Sequence, residues 1–210
     1  MGLRGDVQII RNAVDMDQFH FDREARGAYR KALELDGRYV VGFVVGRLHP
    51  QKNAMRLLAI FQALSEKRGD AALRVVGDGS LMPRMRQYVE ERGLSDSVLF
   101  LGRRSDVNGL LSAMDVFVLP SVYEGLGLAV MEAQAAGLSC VKSAAVPAPD
   151  LTGRTVSLSL ELEDTVWAEA IAEIRQCDRL GVRKQIRDAG YDIKSEAARL
   201  QAFYLAEAAK

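Results

Sequence analysis

Between Arg38 and Ser143 the chain alternates short β-branched runs with longer stretches of helical period. Tyr39–Val45 (YVVGFVV) is apolar throughout, the pattern of a strand buried on both faces. Asn53–Lys67 places Met55, Leu58, Ile60, Phe61 and Leu64 near helical spacing and predicts a helix. The alternation continues with a strand at Leu73–Val76, a helix over Leu81–Arg92, a strand at Val98–Leu101 and a short helix over Val107–Ala113. A strand at Asp115–Leu119, a helix over Leu126–Ala136 and a strand at Ser139–Lys142 close the series. Repeated strand–helix units predict an α/β protein with a doubly wound parallel sheet flanked by helices.

The flanks read differently. Residues 1–37 hold one predicted strand, Val7–Ile10, and a helix across Arg23–Glu34, and are taken as a unit leading into the main domain, 38–192. The C-terminal part is helical over Asp164–Arg175, Val182–Arg187 and Ile193–Ala209, the last forming its own segment, 193–210. Leu200, Phe203, Tyr204 and Leu205 give this last helix a broad apolar face, expected to pack on the same domain; docking on a second domain is the alternative.

Composition narrows the classes. The 28 Lys and Arg balance 28 Asp and Glu, so the electrostatic excess needed to grip nucleic acid or an anionic membrane is lacking. No apolar run reaches the length of a membrane span, and Met1–Asp6 has no signal-like core, so a cytoplasmic protein is expected. Cys140 and Cys177 are expected as reduced thiols, and with His20 and His49 they show no spacing that would build a metal site.

In an open α/β sheet, ligands bind beyond the carboxyl ends of the strands. The first strand runs into Gly46-Arg47-Leu48-His49-Pro50-Gln51-Lys52, where Gly46 permits close backbone approach and Arg47 and Lys52 offer two cations suited to a diphosphate. His49 between them is a possible participant, though a loop histidine is more often a surface residue. The second strand runs into Gly77-Asp78-Gly79, the opening of a dinucleotide fingerprint whose third glycine is replaced by Met82. Gly102-Arg103-Arg104 follows the third strand, basic where NAD would call for an acid; an NADP-dependent oxidoreductase remains a competing class, as does a non-catalytic module binding a nucleotide or a partner. The most informative stretch is Leu119–Ala133 (LPSVYEGLGLAVMEA), a strand entering a glycine loop and then a helix, whose free N–H groups and positive dipole end suit an anion. Glu124 and Glu132 flank that helix start, roughly 12 Å apart if the helix spans both. That separation is too wide for a paired hydrolytic acid and base, and suits hydroxyl groups on either side of a diphosphate.

Glu124 and Glu132 resemble the Glu-x7-Glu signature of retaining glycosyltransferases of the GT-B fold, group 1 or family 4 type. IIRNAVDMDQF, VVGRLHPQKN, LRVVGDGSLMPRM, VLFLGRRSDV and MDVFVLPSVYEGLGLAVMEAQAAG are similar to that family's blocks, from about Ile9 onward. The tail is similar to the branch that builds bacterial exopolysaccharides and capsular polysaccharides. The resemblance implies a Rossmann-like, donor-binding C-terminal domain. It assigns the donor diphosphate to Arg47 and Lys52, with the backbone of Gly125, Leu126 and Gly127. It also assigns the ribose to Glu132, the donor sugar to Glu124, and the region of the base to Gly102, Arg103 and Arg104. It further implies a nucleotide-sugar donor, UDP most of all, and no metal or other cofactor. In that family NAVDMDQF follows an acceptor-binding first domain, so an N-terminal partner domain is expected outside these residues. The stretch Lys142–Leu151 departs from the family, which commonly carries a Pro-Glu pair there, and leaves Asp150 as a possible substitute.

Overall fold

The computed structural model describes residues 10–175 and 177–208. Six parallel strands form one sheet: β1 (Tyr39–Arg47), β2 (Ala71–Asp78), β3 (Val98–Gly102), β4 (Val116–Leu119), β5 (Ser139–Ser143) and β6 (Thr155–Leu158). Their spatial order is β3-β2-β1-β4-β5-β6. Helices α1 (Arg23–Ala32), α2 (Ala54–Lys67), α3 (Met82–Glu91), α4 (Val107–Ala113), α5 (Leu128–Ala135) and α6 (Asp164–Ala172) join or flank them. Helices α7 (Val182–Asp188) and α8 (Ile193–Ala208) close the chain. The chain winds outward from β1 through β2 to β3, returns to β1's other side at β4, and winds outward again. The direction therefore reverses between β1 and β4, the position at which doubly wound sheets form a crevice.

The central strands carry the core. β1 is buried from Tyr39 to Val45 and β4 from Val116 to Leu119, as continuous apolar runs covered by helices on both faces must be. α2 turns Ala54, Leu57, Leu58, Phe61 and Leu64 inward, an i, i+3, i+4, i+7 stripe, with Ile60 widening it. Trp167 of α6 is fully buried and its indole N–H donates to the Ser159 carbonyl at 3.2 Å.

α1 is fastened to the base of the sheet by charge. Asp22 caps it, accepting from the Glu24 and Ala25 N–H groups at 2.8 and 3.0 Å. Arg26 and Arg30 then reach Asp115, at 2.5 and 3.1 Å, whose carboxylate also takes the Val40 N–H at 2.8 Å. Arg179 ties the carboxyl ends of α4 and α5 together, donating to the Leu111, Ser112, Met114 and Ala136 carbonyls. Burial lowers its pKa to about 9. A concavity at this end of the strands includes Arg26, Asp115 and Arg179, groups already engaged in those contacts.

Three expectations are corrected or displaced. The strand at Val7–Ile10 falls, for residues 7–9, outside the described residues. The sheet does not end at β5: β6 adds a sixth strand, whose half-exposed Thr155–Leu158 gives an edge pattern without a buried run. The last helix does not pack its apolar face on this domain. Of α8 only Glu196 is buried, and Tyr204 and Leu205 are 62% and 65% exposed.

Candidate functional site

The loops leaving β1, β2, β3 and β4 surround two adjoining hollows at the carboxyl ends of the strands. One, of about 370 Å³, is lined by Lys52, Gly46, Gly77, Arg103, Arg104 and Glu132 among others. The second is lined by Lys52, Glu124, Gly125, Leu126, Gly127 and Leu119. Lys52 and Ala129 border both, so the first turn of α5 is the partition between them.

α5 begins at Leu128, two residues later than its sequence predicts. Glu124 sits in the loop four residues ahead of the helix, so the straight-helix spacing to Glu132 does not apply. The cause is Gly127, which caps the helix in the left-handed region (φ +78°). A Cβ there would lie 2.6 Å from Val146 Cγ1 and 3.1 Å from Ala148 Cβ. The loop after β5 thus closes over Gly127, and no acidic residue occupies the first turn of α5 to neutralise its dipole.

Glu124 and Lys52 meet directly. Lys52 Nζ lies 2.6 Å from Glu124 Oε1, and the fully buried Ser121 donates its Oγ–H to the same oxygen at 2.7 Å. Two further bonds clamp the loop after β4 to the loop after β1: Val122 N–H to the Gln51 carbonyl at 2.8 Å, and Gln51 Nε2 to the Tyr123 carbonyl at 2.9 Å.

The Glu132 carboxyl, on α5, has no hydrogen-bond partner among the described residues, and burial raises its pKa above the ordinary carboxylate value. Desolvation disfavours the charged form, so the native state retains a proton the unfolded chain would release. A carboxyl whose native pKa is raised contributes stability at low pH that is lost as pH rises through the native pKa. Glu132→Gln is accordingly expected to raise the melting temperature near neutral pH, with the gain over wild type shrinking as pH falls. Thermal melts between about pH 4 and 7 check this.

The remaining predicted residues are only partly brought together. Arg47 lines neither of the two hollows; it borders a neighbouring one with His49, Asp78, Gly79 and Arg103. His49 accepts the Gln51 N–H through its ring nitrogen at 3.4 Å, capping the turn Pro50–Lys52. Arg104 is engaged by Asp106 at 2.8 and 2.6 Å, whereas Arg103 makes no ion pair among the described residues. Gly102 ends β3 with φ +66°. Asp150 borders none of these hollows: its carboxylate accepts the Thr152 and Arg154 N–H groups, each at 3.2 Å, and stiffens a turn. Residues that escaped the sequence reading include Ser121 and Gln51, which position the loops, and Asn12, Gln18 and Phe19, which line the hollows from the N-terminal segment. Asn12 and Phe19 lie inside the NAVDMDQF block, but their residue types carry no chemical signature of a site.

The family described as "Glycosyl transferases group 1" matches over residues 25–192. The chain is 30% identical over 207 residues to the putative glycosyltransferase EpsF of Bacillus subtilis, covering 96% of this chain and 54% of that one. It is 37% identical over 140 residues to an Escherichia coli protein named UDP-Gal:alpha-D-GlcNAc-diphosphoundecaprenol alpha-1,3-galactosyltransferase, covering 65% of this chain and 36% of that one. Among solved structures, Anabaena HepE in complex with UDP and glucose superposes with a TM-score of 0.78 at 21% identity, over 94% of this chain and 56% of that one. This last likeness is one of fold. The chain therefore spans about half the length of the curated relatives it matches.

Proposed function

The chain belongs to the group 1 glycosyl transferases, and from that premise we propose that it is the donor-binding domain of a retaining, nucleotide-sugar-dependent transferase. The observation that carries this reading is the placement of Lys52 between Glu132 and Glu124, around the start of α5. A nucleoside diphosphate spanning the partition would set its ribose hydroxyls against Glu132 and its phosphates against Lys52 and the α5 N–H groups. The sugar would then face Glu124. As the bond from the sugar's anomeric carbon to the diphosphate oxygen breaks, negative charge grows on the departing diphosphate. A fixed cation and a helix N-terminus stabilise that charge without reorganisation, the role a metal ion has in other transferases. The acceptor hydroxyl oxygen forms the new bond to the same carbon and gives up its proton to the departing diphosphate.

The donor is read as a UDP-sugar, in keeping with the UDP-Gal named for the Escherichia coli relative and the UDP bound in the HepE complex. The sugar is read as a hexose and the acceptor as a glycan or a lipid-linked molecule in polysaccharide assembly, a cytoplasmic reaction. Half the active site would come from a second domain, whose closure excludes water. The 210 residues alone are therefore expected to bind donor and transfer no sugar. Appearance of labelled product when this chain is incubated with UDP-sugar and acceptor would overturn the inactivity.

Calorimetric titration with UDP, GDP, ADP and NADP tests the binding claim. Saturable UDP binding is expected, weakened by about 1.5–3 kcal/mol in Lys52→Ala, the scale of a charged hydrogen bond. Arg47→Ala is expected to cost less, because Arg47 borders the neighbouring hollow. Preference for NADP would replace this reading with an oxidoreductase.

A further inference from the structure

One oxygen, Glu124 Oε1, receives both the Lys52 ammonium at 2.6 Å and the Ser121 hydroxyl at 2.7 Å. The second oxygen, Oε2, has no protein partner among the described residues. The pair is largely withdrawn from water, with the Lys52 and Glu124 side chains 21% and 9% exposed. Ser121 is anchored independently: it is fully buried and its carbonyl accepts the Ser143 hydroxyl at the end of β5. The cation facing both hollows is thus bound to a carboxylate before any ligand arrives, and that carboxylate repels a diphosphate placed beside it.

Resting on the donor-domain reading above, we propose that the Lys52–Glu124 ion pair is a latch which the donor's diphosphate opens. Lys52 transfers from Glu124 to the diphosphate, and Ser121 is a positioning residue that keeps Glu124 at the sugar end when the cation departs. The exchange lowers affinity for every nucleoside diphosphate by the work of separating the pair. It also couples arrival of the phosphates to release of the Glu124 carboxylate. A ligand without a diphosphate leaves the latch shut.

The test uses whichever of UDP, GDP and ADP the wild-type chain binds most tightly. Glu124→Gln keeps an oxygen for Ser121 and removes the charge that holds Lys52. It is expected to bind that nucleotide about three- to tenfold more tightly. In a Lys52→Ala background the same substitution is expected to change affinity less than about twofold, the signature of a pairwise interaction. Ser121→Ala loosens the same oxygen without freeing the cation, and is expected to bind no more tightly than wild type.

Unchanged or weaker binding by Glu124→Gln overturns the latch. An equal gain in the Lys52→Ala background assigns the effect to general repulsion by Glu124, and an equal gain in Ser121→Ala assigns it to loop mobility; either also overturns it. If wild type binds none of the three nucleotides, the donor-domain reading itself fails and takes the latch with it. Wild-type binding without a gain in Glu124→Gln sinks the latch alone.

Discussion

Gly77→Ala is expected to destabilise the protein by about 4 kcal/mol or more, leaving little folded chain and no nucleotide binding. Gly77 ends the apolar run of β2 at φ +138°, where side-chain-bearing residues are strained. A Cβ there would lie 2.0 Å from the Val45 carbonyl oxygen and 3.1 Å from its carbon. Both are backbone atoms, so no rotamer change relieves the clash and β1 must move away from β2. The β1–β2 register already shifts here, between Val44 and Arg47, and β2 shifts against β3 between Val75 and Val76. Gly46, Gly77, Lys52 and Glu132 line the same hollow, so displacing β1 carries Gly46 and Lys52 out of place. Gly93→Ala is the control: φ there is +65° but nothing lies within 4 Å of a Cβ, so only the left-handed backbone is penalised, by about 1–2 kcal/mol. Urea unfolding of both variants, read as midpoints at constant slope, checks the difference. A Gly77→Ala variant as stable as Gly93→Ala would refute the backbone clash.

Asp115→Ala is expected to cost about 3–5 kcal/mol, the loss typical when one partner of a buried ion cluster is removed. Its carboxylate is 1% exposed and serves Arg26, Arg30 and the Val40 N–H. Removing it leaves two guanidinium groups facing one another and a buried N–H without this acceptor. For a chain of this size the melting temperature should fall by roughly 10 °C. Asp115 precedes β4, at the end of the sheet away from the hollows, so the folded variant should bind nucleotide as wild type does. Scanning calorimetry with and without UDP separates the effects. A loss of affinity well below the melting temperature would show that the base of the sheet communicates with the site.

The fold was legible where burial makes the pattern simple. β1, β2 and β4 are largely apolar runs covered on both faces, β5 is a short buried strand, and α2 has a clean stripe; each was located within about two residues. β6 was not, because Val156 and Leu158 alternate on a half-exposed edge inside a polar stretch. The face of α8 misled for a related reason: apolar periodicity says that a face wants cover, not that this chain supplies it. In the site, Lys52, Glu124, Glu132 and Gly127 stood out in the sequence because charge and glycine there follow directly on apolar strand runs and match a family signature. Ser121 and Gln51 were not, since a serine and a glutamine acquire meaning only from the atoms they reach across the sheet. Arg47 and Asp150 show the converse. Both have suitable chemistry near the right strand, but one borders the adjacent hollow and the other holds a turn.

The strand order also governs how the chain reaches this structure during synthesis. β1 is the first of the described strands in sequence yet lies at the centre of the sheet, pairing Val41 with Val116 of β4. A nascent chain can zip β1, β2 and β3 together while one edge of its most apolar strand still lacks a partner. Until β4 emerges, that edge is an open template for another chain. Closing it requires a long loop, which makes the β1–β4 pairing the slow, aggregation-exposed step of folding. The reversal of winding that creates the ligand crevice is therefore also the seam along which misassembly is expected to begin.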